Sequence, residues 1–435
     1  MPRKQIAAIA AASLAALTAC ASSGSSTHGH GAPVRTGPEH TGPVRVDNAQ
    51  SLVGPAELSS ASASVNAFGV DIFHSVSDGS EGNVMVSPTS LATVLAMLMP
   101  GAKGQTEAQM AKVLHTTMPA GQFADALGAL DSATMQRELA DKADLRQYDT
   151  VWTQQGYGLQ QSYAQALSAA FDTSVHETDF TNPDAARQTI DKNVEDQTNG
   201  LIKDLFGPGS MTADTRLALT DALYFKAAWA GAFDKNETAD KPFHLLDGGT
   251  ANVSMMSDES SFGYASGSGW QYAELPYQQD HMAMGILLPS AGSFDTFRKA
   301  LTADNLSAMI NTAAPGTVAL ELPKFTFDTG AQLGTALQKL GMTSAFDPKS
   351  ADLSGLPATA EPLHVGMVAQ KTHVAVDEQG TTAAAASGVT VIAGAAPGPP
   401  RQPTEMHVDR PFLVLIRDTV SGQILFLGQV TDPRG

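Results

Sequence analysis

Cysteine is nearly absent from this chain. Cys20 is the only one in 435 residues, so no disulfide within the chain can staple it and stability must come from packing. A chain of this length can bury a core large enough for that. Basic residues are scarce as well: 26 Lys and Arg stand against 44 Asp and Glu, a formal net charge of −18. No basic stripe offers a grip for phosphates, which excludes nucleic acid as a partner; the acidity serves solubility and mildly favours basic partners. The motifs that activate a serine or a zinc-bound water are missing too. There is no Gly-x-Ser-x-Gly elbow, no Ser-x-x-Lys pair and no His-Glu-x-x-His helix, which argues against a serine hydrolase, a β-lactamase or a zinc protease. A triad assembled in space from scattered residues is the residual enzyme reading. No internal repeat is found, and no apolar run is long enough to span a membrane.

What the chain does have starts with Arg3 and Lys4, an apolar stretch from Ile6 to Leu17, and the closing sequence Leu17-Thr18-Ala19-Cys20. This is the pattern of a secretory signal, and Cys20 stands where a bacterial lipobox places its acylated thiol. Residues 1–19 are expected to be a lipoprotein signal peptide, with Cys20 lipidated. The protein is then exported and held at the outer face of a bacterial membrane or cell surface through lipid alone. An ordinary signal with an incidental cysteine is the alternative. Residues 20–56 are rich in Ser, Gly, Pro and Thr and predict a flexible tether. His28, His30 and His40 fall there without the cysteine or carboxylate spacing of a metal site, so no metal and no cofactor are expected.

Residues 57–435 read as one mixed domain. Val65, Phe68, Ile72, Phe73 and Val76 recur at helical spacing. Ser87 followed by Pro88 is an N-cap with proline at the first helical position, and the apolar helix runs to Met99, ahead of Gly101. Leu217 to Phe225 is a near-continuous apolar run, the signature of a strand covered on both faces. Phe412–Ile416 and Ile424–Val430, joined through Thr419-Val420-Ser421-Gly422, predict a closing hairpin. The class is α+β.

One segment stands apart: Glu378-Gln379-Gly380-Thr381-Thr382-Ala383-Ala384-Ala385-Ala386. Val374-Ala375-Val376 before it and Val389-Thr390-Val391-Ile392 after it have strand character. At period two, one face from Thr381 to Ala393 carries only Thr, Ala, Ala, Ser, Val, Val and Ala. A segment whose inner face has neither charge nor bulk can lie out as a loop or slide between strands and become one, because a buried unpaired charge would block the move.

That segment resembles the hinge of the serpin reactive-centre loop, and further motifs follow in the order of that family. They include Asn83-Val84-Met85-Val86-Ser87-Pro88-Thr89-Ser90, Gly101-Ala102-Lys103-Gly104-Gln105-Thr106, Thr198-Asn199-Gly200-Leu201-Ile202 and Leu223-Tyr224-Phe225-Lys226 with Trp229 and Phe233. Met255-Met256, Leu275-Pro276-Tyr277, Leu287-Leu288-Pro289, Leu322-Pro323-Lys324-Phe325, Ala351-Asp352-Leu353-Ser354-Gly355 and Arg410-Pro411-Phe412 complete the series. The resemblance implies the serpin fold, with mixed β-sheets, a bundle of helices and a mobile reactive-centre loop over about 378–405. It also implies a monomeric, non-catalytic suicide inhibitor of a serine protease, which forms a covalent acyl complex before the cleaved loop inserts into the main sheet.

Carried over residue by residue, the resemblance assigns the hinge to Glu378, Gly380, Thr381 and Ala383 to Ala386. The scissile bond is expected at Gly394–Ala395, with the registers Ala393–Gly394 and Ile392–Ala393 open, which suits an elastase- or subtilisin-like target. The loop is several residues longer than usual before Arg410. If the extra length lies on the hinge side, Arg401 becomes the cleavage residue and the target is trypsin-like, but Pro397, Pro399 and Pro400 would then have to enter a central strand. A non-inhibitory serpin-fold binding protein is the other alternative; the small Thr381 favours an inhibitor. Beneath the sheet opening the resemblance places Ser87 and Ser90, with Asp221 and Gln370 where the family usually pairs Asn and His. Asp221 accepting from the Gln370 amide replaces the lost bond, though a buried carboxylate needs further donors. Ala227 stands where glycine is usual. Trp229, Lys324 and Glu378 match the family's aromatic and salt-bridge cluster at the loop's entry point; the alternative for Lys324–Glu378 is a plain surface ion pair worth under about 1 kcal/mol. Heparin-type activation is not expected, because Asp125 to Asp149 carries more acid than base.

Overall fold

The computed structural model describes residues 53–141, 143–171, 175–360, 362–381 and 402–435. The first helix, α1 (Pro55–Ser77), buries Val65, Phe68, Ile72 and Phe73 along one stripe, as their spacing predicts. It starts at Pro55, inside the segment expected to be a tether. Helix α2 (Pro88–Leu98) is buried along its whole length, and the Ser87 side chain accepts a hydrogen bond from the Ser90 backbone N–H. That bond satisfies one of the donors left free at a helix start. Helices α3 (Gly104–Val113) and α4 (Ala120–Asp141) follow.

Fifteen strands are present among the described residues. In chain order the first five are β1 (Val84–Val86), β2 (Asp144–Gln154), β3 (His176–Thr178), β4 (Leu217–Ala228) and β5 (Ala239–His244). Then come β6 (Thr250–Gly267), β7 (Trp270–Pro276), β8 (Met282–Pro289), β9 (Ala314–Pro323) and β10 (Phe325–Gln332). The last are β11 (Met367–Asp377), β12 (Gly380–Thr381), β13 (Thr404–His407), β14 (Phe412–Asp418) and β15 (Ile424–Val430). Nine of them form one sheet, with order β1-β15-β14-β8-β7-β6-β9-β13 and β5 paired to β6. The expected closing hairpin is the antiparallel pair β14–β15. The other six form a second sheet, β10-β11-β12-β4-β2-β3.

The core between the two sheets is built from Leu223, Phe225, Val374 and Val376 of the six-stranded sheet and Met284, Ile286, Val414 and Ile416 of the nine-stranded one. Strand β4 is covered on both faces, which explains its near-continuous apolar run. Leu223 and Phe225 point into that core, while Ala218 and Ala222 pack with Trp152, Ile190 and Val194 on the far side. Asp221 interrupts the run on the inner face and is fully buried.

The pairing of β4 with β11 is parallel, from Met367↔Ala218 to His373↔Tyr224. Above that stretch the two strands part, and β12 fills the gap by pairing antiparallel with both. The six-stranded sheet therefore has a seam, closed below and occupied above by Gly380 and Thr381, the third and fourth residues of the segment that the sequence singles out.

Candidate functional site

The top of the seam is fixed by the turn from β11 into β12. The register Val376↔Thr381 and Asp377↔Gly380 leaves Glu378 and Gln379 as a two-residue turn, and the Asp377 carboxylate accepts from the Gln379 N–H at 2.8 Å. Gly380 adopts a φ of 149°, and a Cβ there would lie 2.1 Å from the Ala227 carbonyl oxygen. Only glycine fits. Ala227 itself, expected as a departure from glycine, is buried in the core between the sheets and pairs with Thr381. Thr381 is fully buried, its hydroxyl 2.6 Å from the Tyr277 hydroxyl.

Trp229 stands at the end of β4 and braces this turn. Its indole N–H donates to the Asp377 carbonyl at 2.9 Å, its backbone N–H donates to the Gln379 carbonyl at 3.0 Å, and its ring stacks on Tyr277 with centroids 4.7 Å apart. Lys324 immediately precedes β10, whose register with β11 (Phe325↔Val376) brings it to Glu378. The ammonium reaches both carboxylate oxygens, at 3.2 and 3.0 Å. The pair is half sunk and not a plain surface pair: the Glu378 side chain is 6% exposed and that of Lys324 37%. Thr238 donates a further bond to Glu378 at 2.9 Å, and the Phe233 N–H donates to its carbonyl. Burial pushes the Glu378 carboxyl up, but its own backbone N–H, Lys324 and Thr238 outweigh that, and it lies below the usual carboxylate range.

Lower on the seam, Ser87, Ser90, Asp221 and Gln370 come together beneath the parallel stretch, where Gln370 and Asp221 are direct partners. The Gln370 amide donates to Asp221 Oδ2 at 2.6 Å and to the Ser87 carbonyl at 2.9 Å, while its carbonyl oxygen accepts from the Ser87 N–H at 2.9 Å. The further donor that a buried Asp221 requires is Ser90, whose hydroxyl lies 2.5 Å from Asp221 Oδ1. Sequence reasoning missed the other neighbour of that hydroxyl. Asp149 of β2, paired with Asp221 across the sheet, is also 2.5 Å from Ser90 Oγ through Oδ1. A lone carboxylate among Tyr148, Thr150, Val151 and Trp152 is the signal that could have found it. Burial pushes Asp221 up to about 7, and burial together with the Asp221 charge pushes Asp149 well above its ordinary value.

Several expected residues lie outside the described residues: Cys20 and the signal peptide, the hinge alanines Ala383 to Ala386, and every candidate for the scissile bond (Ile392, Ala393, Gly394, Ala395 and Arg401). Among the described residues no helix is long and apolar enough to cross a membrane.

The upper end of the seam is thus already entered by a strand, β12. The family Serpin (serine protease inhibitor) matches residues 63–433, and the chain belongs to it. The family is described as one of serine protease inhibitors, not catalysts, and this chain is a serpin-fold member of it. It is 34% identical over 372 to 377 residues to relatives that include plasminogen activator inhibitor 1 of Neovison vison, matching 84% of this chain and 91% of that one. Among solved structures it is similar to native protease nexin-1 with heparin, with 27% identity and a TM-score of 0.76 over 86% of this chain and all of the other. It is also similar to thyroxine-binding globulin in complex with thyroxine, with 25% identity and a TM-score of 0.75 over 86% and 99% of the two chains.

Proposed function

We propose that this serpin is a suicide inhibitor of an extracellular serine protease and traps the acyl-enzyme by inserting its cleaved loop between β4 and β11. The observation that carries this reading is the seam: β12 lies in it already, hydrogen-bonded to both neighbours and buried. Continuing the register Thr381↔Ala227 down β4 to Leu217 takes in residues 381–391. The residues on the Thr381 face would be Ala383, Ala385, Ser387, Val389 and Val391, none of which brings a charge into the core. The protease supplies the chemistry as an ordinary acylation of its own serine. The inhibitor supplies a strand that moves the acyl bond before water reaches it, as in the loop insertion of serpins generally. Glu378, Gly380, Thr381 and Trp229 act as the upper gate of that movement, and Ser87, Ser90, Asp221 and Gln370 as the lower.

Target choice follows from the cut. A bond at Gly394–Ala395 suits a protease with a shallow pocket, elastase- or subtilisin-like, and keeps Pro397, Pro399 and Pro400 out of the inserting strand. The likeness to an inhibitor of plasminogen activator favours a second reading, a trypsin-like target cut after Arg401. The likeness to thyroxine-binding globulin favours a third, a serpin-fold binding protein. Lipid on Cys20 would place the inhibitor at a cell surface as a monomer.

One experiment separates these. The protein is mixed with elastase-, subtilisin- and trypsin-like proteases, SDS-stable adducts are resolved on a gel, and the cut is located by mass spectrometry. An adduct cut near Gly394 is expected; an adduct cut after Arg401 assigns the trypsin-like target. Cleavage with no adduct from any protease overturns the inhibitory reading in favour of the binding protein.

A further inference from the structure

The contacts around Ser90 contain one hydrogen too few. Its hydroxyl lies 2.5 Å from Asp149 Oδ1 and 2.5 Å from Asp221 Oδ1, yet a hydroxyl donates a single hydrogen. The outer oxygens of the two carboxyl groups are each occupied by an amide donor: Gln147 on Asp149 Oδ2 and Gln370 on Asp221 Oδ2. For both short O···O contacts to be hydrogen bonds, one aspartate must bring a proton of its own, so that Ser90 accepts from one carboxyl and donates to the other. The pair then carries one negative charge instead of two.

We propose that Asp149, Asp221 and Ser90 form a one-proton latch beneath the β4–β11 seam, and that losing this proton weakens the closed sheet and speeds strand insertion. The proposal rests on the reading that the seam opens. The latch spans the moving parts: Ser90 sits on α2, Asp149 on β2, Asp221 on β4, and Gln370 ties Asp221 across the seam to β11. Inserting a strand between β4 and β11 must break the Gln370–Asp221 bond.

The charged and titratable surroundings do not offset the pair. From α2 the Ser90 hydroxyl meets the pair, and β11 presents Gln370, itself bonded to the helix's N-cap Ser87. Helix α4 adds a third acid, Asp131, which accepts from Thr93 at 2.8 Å and is itself pushed up to about 7 by burial. Among the described residues no Lys, Arg or His forms an ion pair with Asp131, Asp149 or Asp221.

Burial is the largest cause raising all three carboxyls, and opening the seam beside Asp221 would relieve it there. Proton release is therefore coupled to opening. An acid whose value is raised in the closed state stabilises that state fully below the ordinary carboxylate range, and the contribution is lost as pH rises through about 7. Opening should be favoured in the same direction, by up to about tenfold per pH unit for one proton released.

The test needs no protease. The full chain is held just below its unfolding temperature at pH values from about 5 to about 8, and conversion to polymer or to a heat-resistant, loop-inserted form is followed on native gels. The wild-type rate is expected to climb by several-fold per pH unit up to about 7 and to level off above it. Asp149→Asn supplies a permanent hydrogen to Ser90 and should flatten the profile. A flat wild-type profile overturns the latch, and so does an unchanged slope in Asp149→Asn. Should that variant fail to fold, Asp221→Asn gives the same comparison. Infrared spectroscopy of the wild type at neutral pH adds a direct readout, a protonated-carboxyl stretch that both variants diminish; its absence from the wild type also overturns the latch. The adduct assay is scored separately: adducts with a flat pH profile sink the latch alone, whereas a sloped profile without adducts sinks the inhibitory reading alone.

Discussion

A methyl group at Gly380 would meet the Ala227 carbonyl at 2.1 Å, at a φ of 149° that other residues avoid. The clash is with backbone, so no side-chain rotation relieves it. Gly380→Ala should therefore push β12 out of the seam, at a cost of about 2 kcal/mol from the forbidden backbone and the lost ladder bonds together. The measurements are the denaturant midpoint and the rate of limited proteolysis around Glu378, which should fall and rise respectively. An unchanged midpoint with an intact turn would mean that the seam is looser than this geometry. Glu378, Lys324 and Trp229 were legible as a cluster because each sits in a motif of its own. Their depth was not, since the burial of Glu378 depends on Thr238 and Phe233, about 140 residues away in the chain. Asp149 was missed for the same reason: β-sheet register joins it to Asp221, and nothing local marks a carboxylate as a neighbour of another one 72 positions on.

At the scale of elements, patterns within one segment were readable and pairings between segments were not. Ser87-Pro88 announces α2, and the apolar run from Leu217 announces a strand covered on both faces. The hinge announces its strand capacity through small residues at period two. That β12 occupies the seam, paired with β4 as well as β11, follows from tertiary register, which carries no local signal. This placement makes Thr381 a sensitive probe of the element. Its side chain is fully buried against Tyr277, and an arginine there would bring an unpaired charge into the core at a cost of several kcal/mol. Thr381→Arg should leave the rest of the fold intact, keep β12 out of the seam and turn the inhibitor into a substrate. The ratio of SDS-stable adduct to cleaved product, measured with whichever protease forms adducts with the wild type, should collapse. Adduct formed at the wild-type ratio would show that insertion does not begin at Thr381.

For the whole molecule, the six-stranded sheet is the part whose topology is unfinished. Its two central strands meet in the parallel sense, with slanted bonds that are slightly less stable per residue than antiparallel ones. Around them β10–β11 and β4–β2 are antiparallel. A strand entering from β12 would run antiparallel to both neighbours and replace one parallel ladder with two antiparallel ones, burying small apolar side chains as it goes. In the intact chain residues 382–403 still connect Thr381 to β13, which is held in the other sheet by β9, so full insertion without a cut requires β13 to leave β9. Cutting that connection removes the restraint, so the cleaved molecule should be the more stable one. Nicking the loop with a protease that forms no adduct, then comparing thermal unfolding of the nicked and intact chains, should raise the midpoint by on the order of 10 °C or more. A nicked chain that melts with the intact one, or below it, would mean that the seam does not accept the strand, and the trapping mechanism would lose its source of free energy.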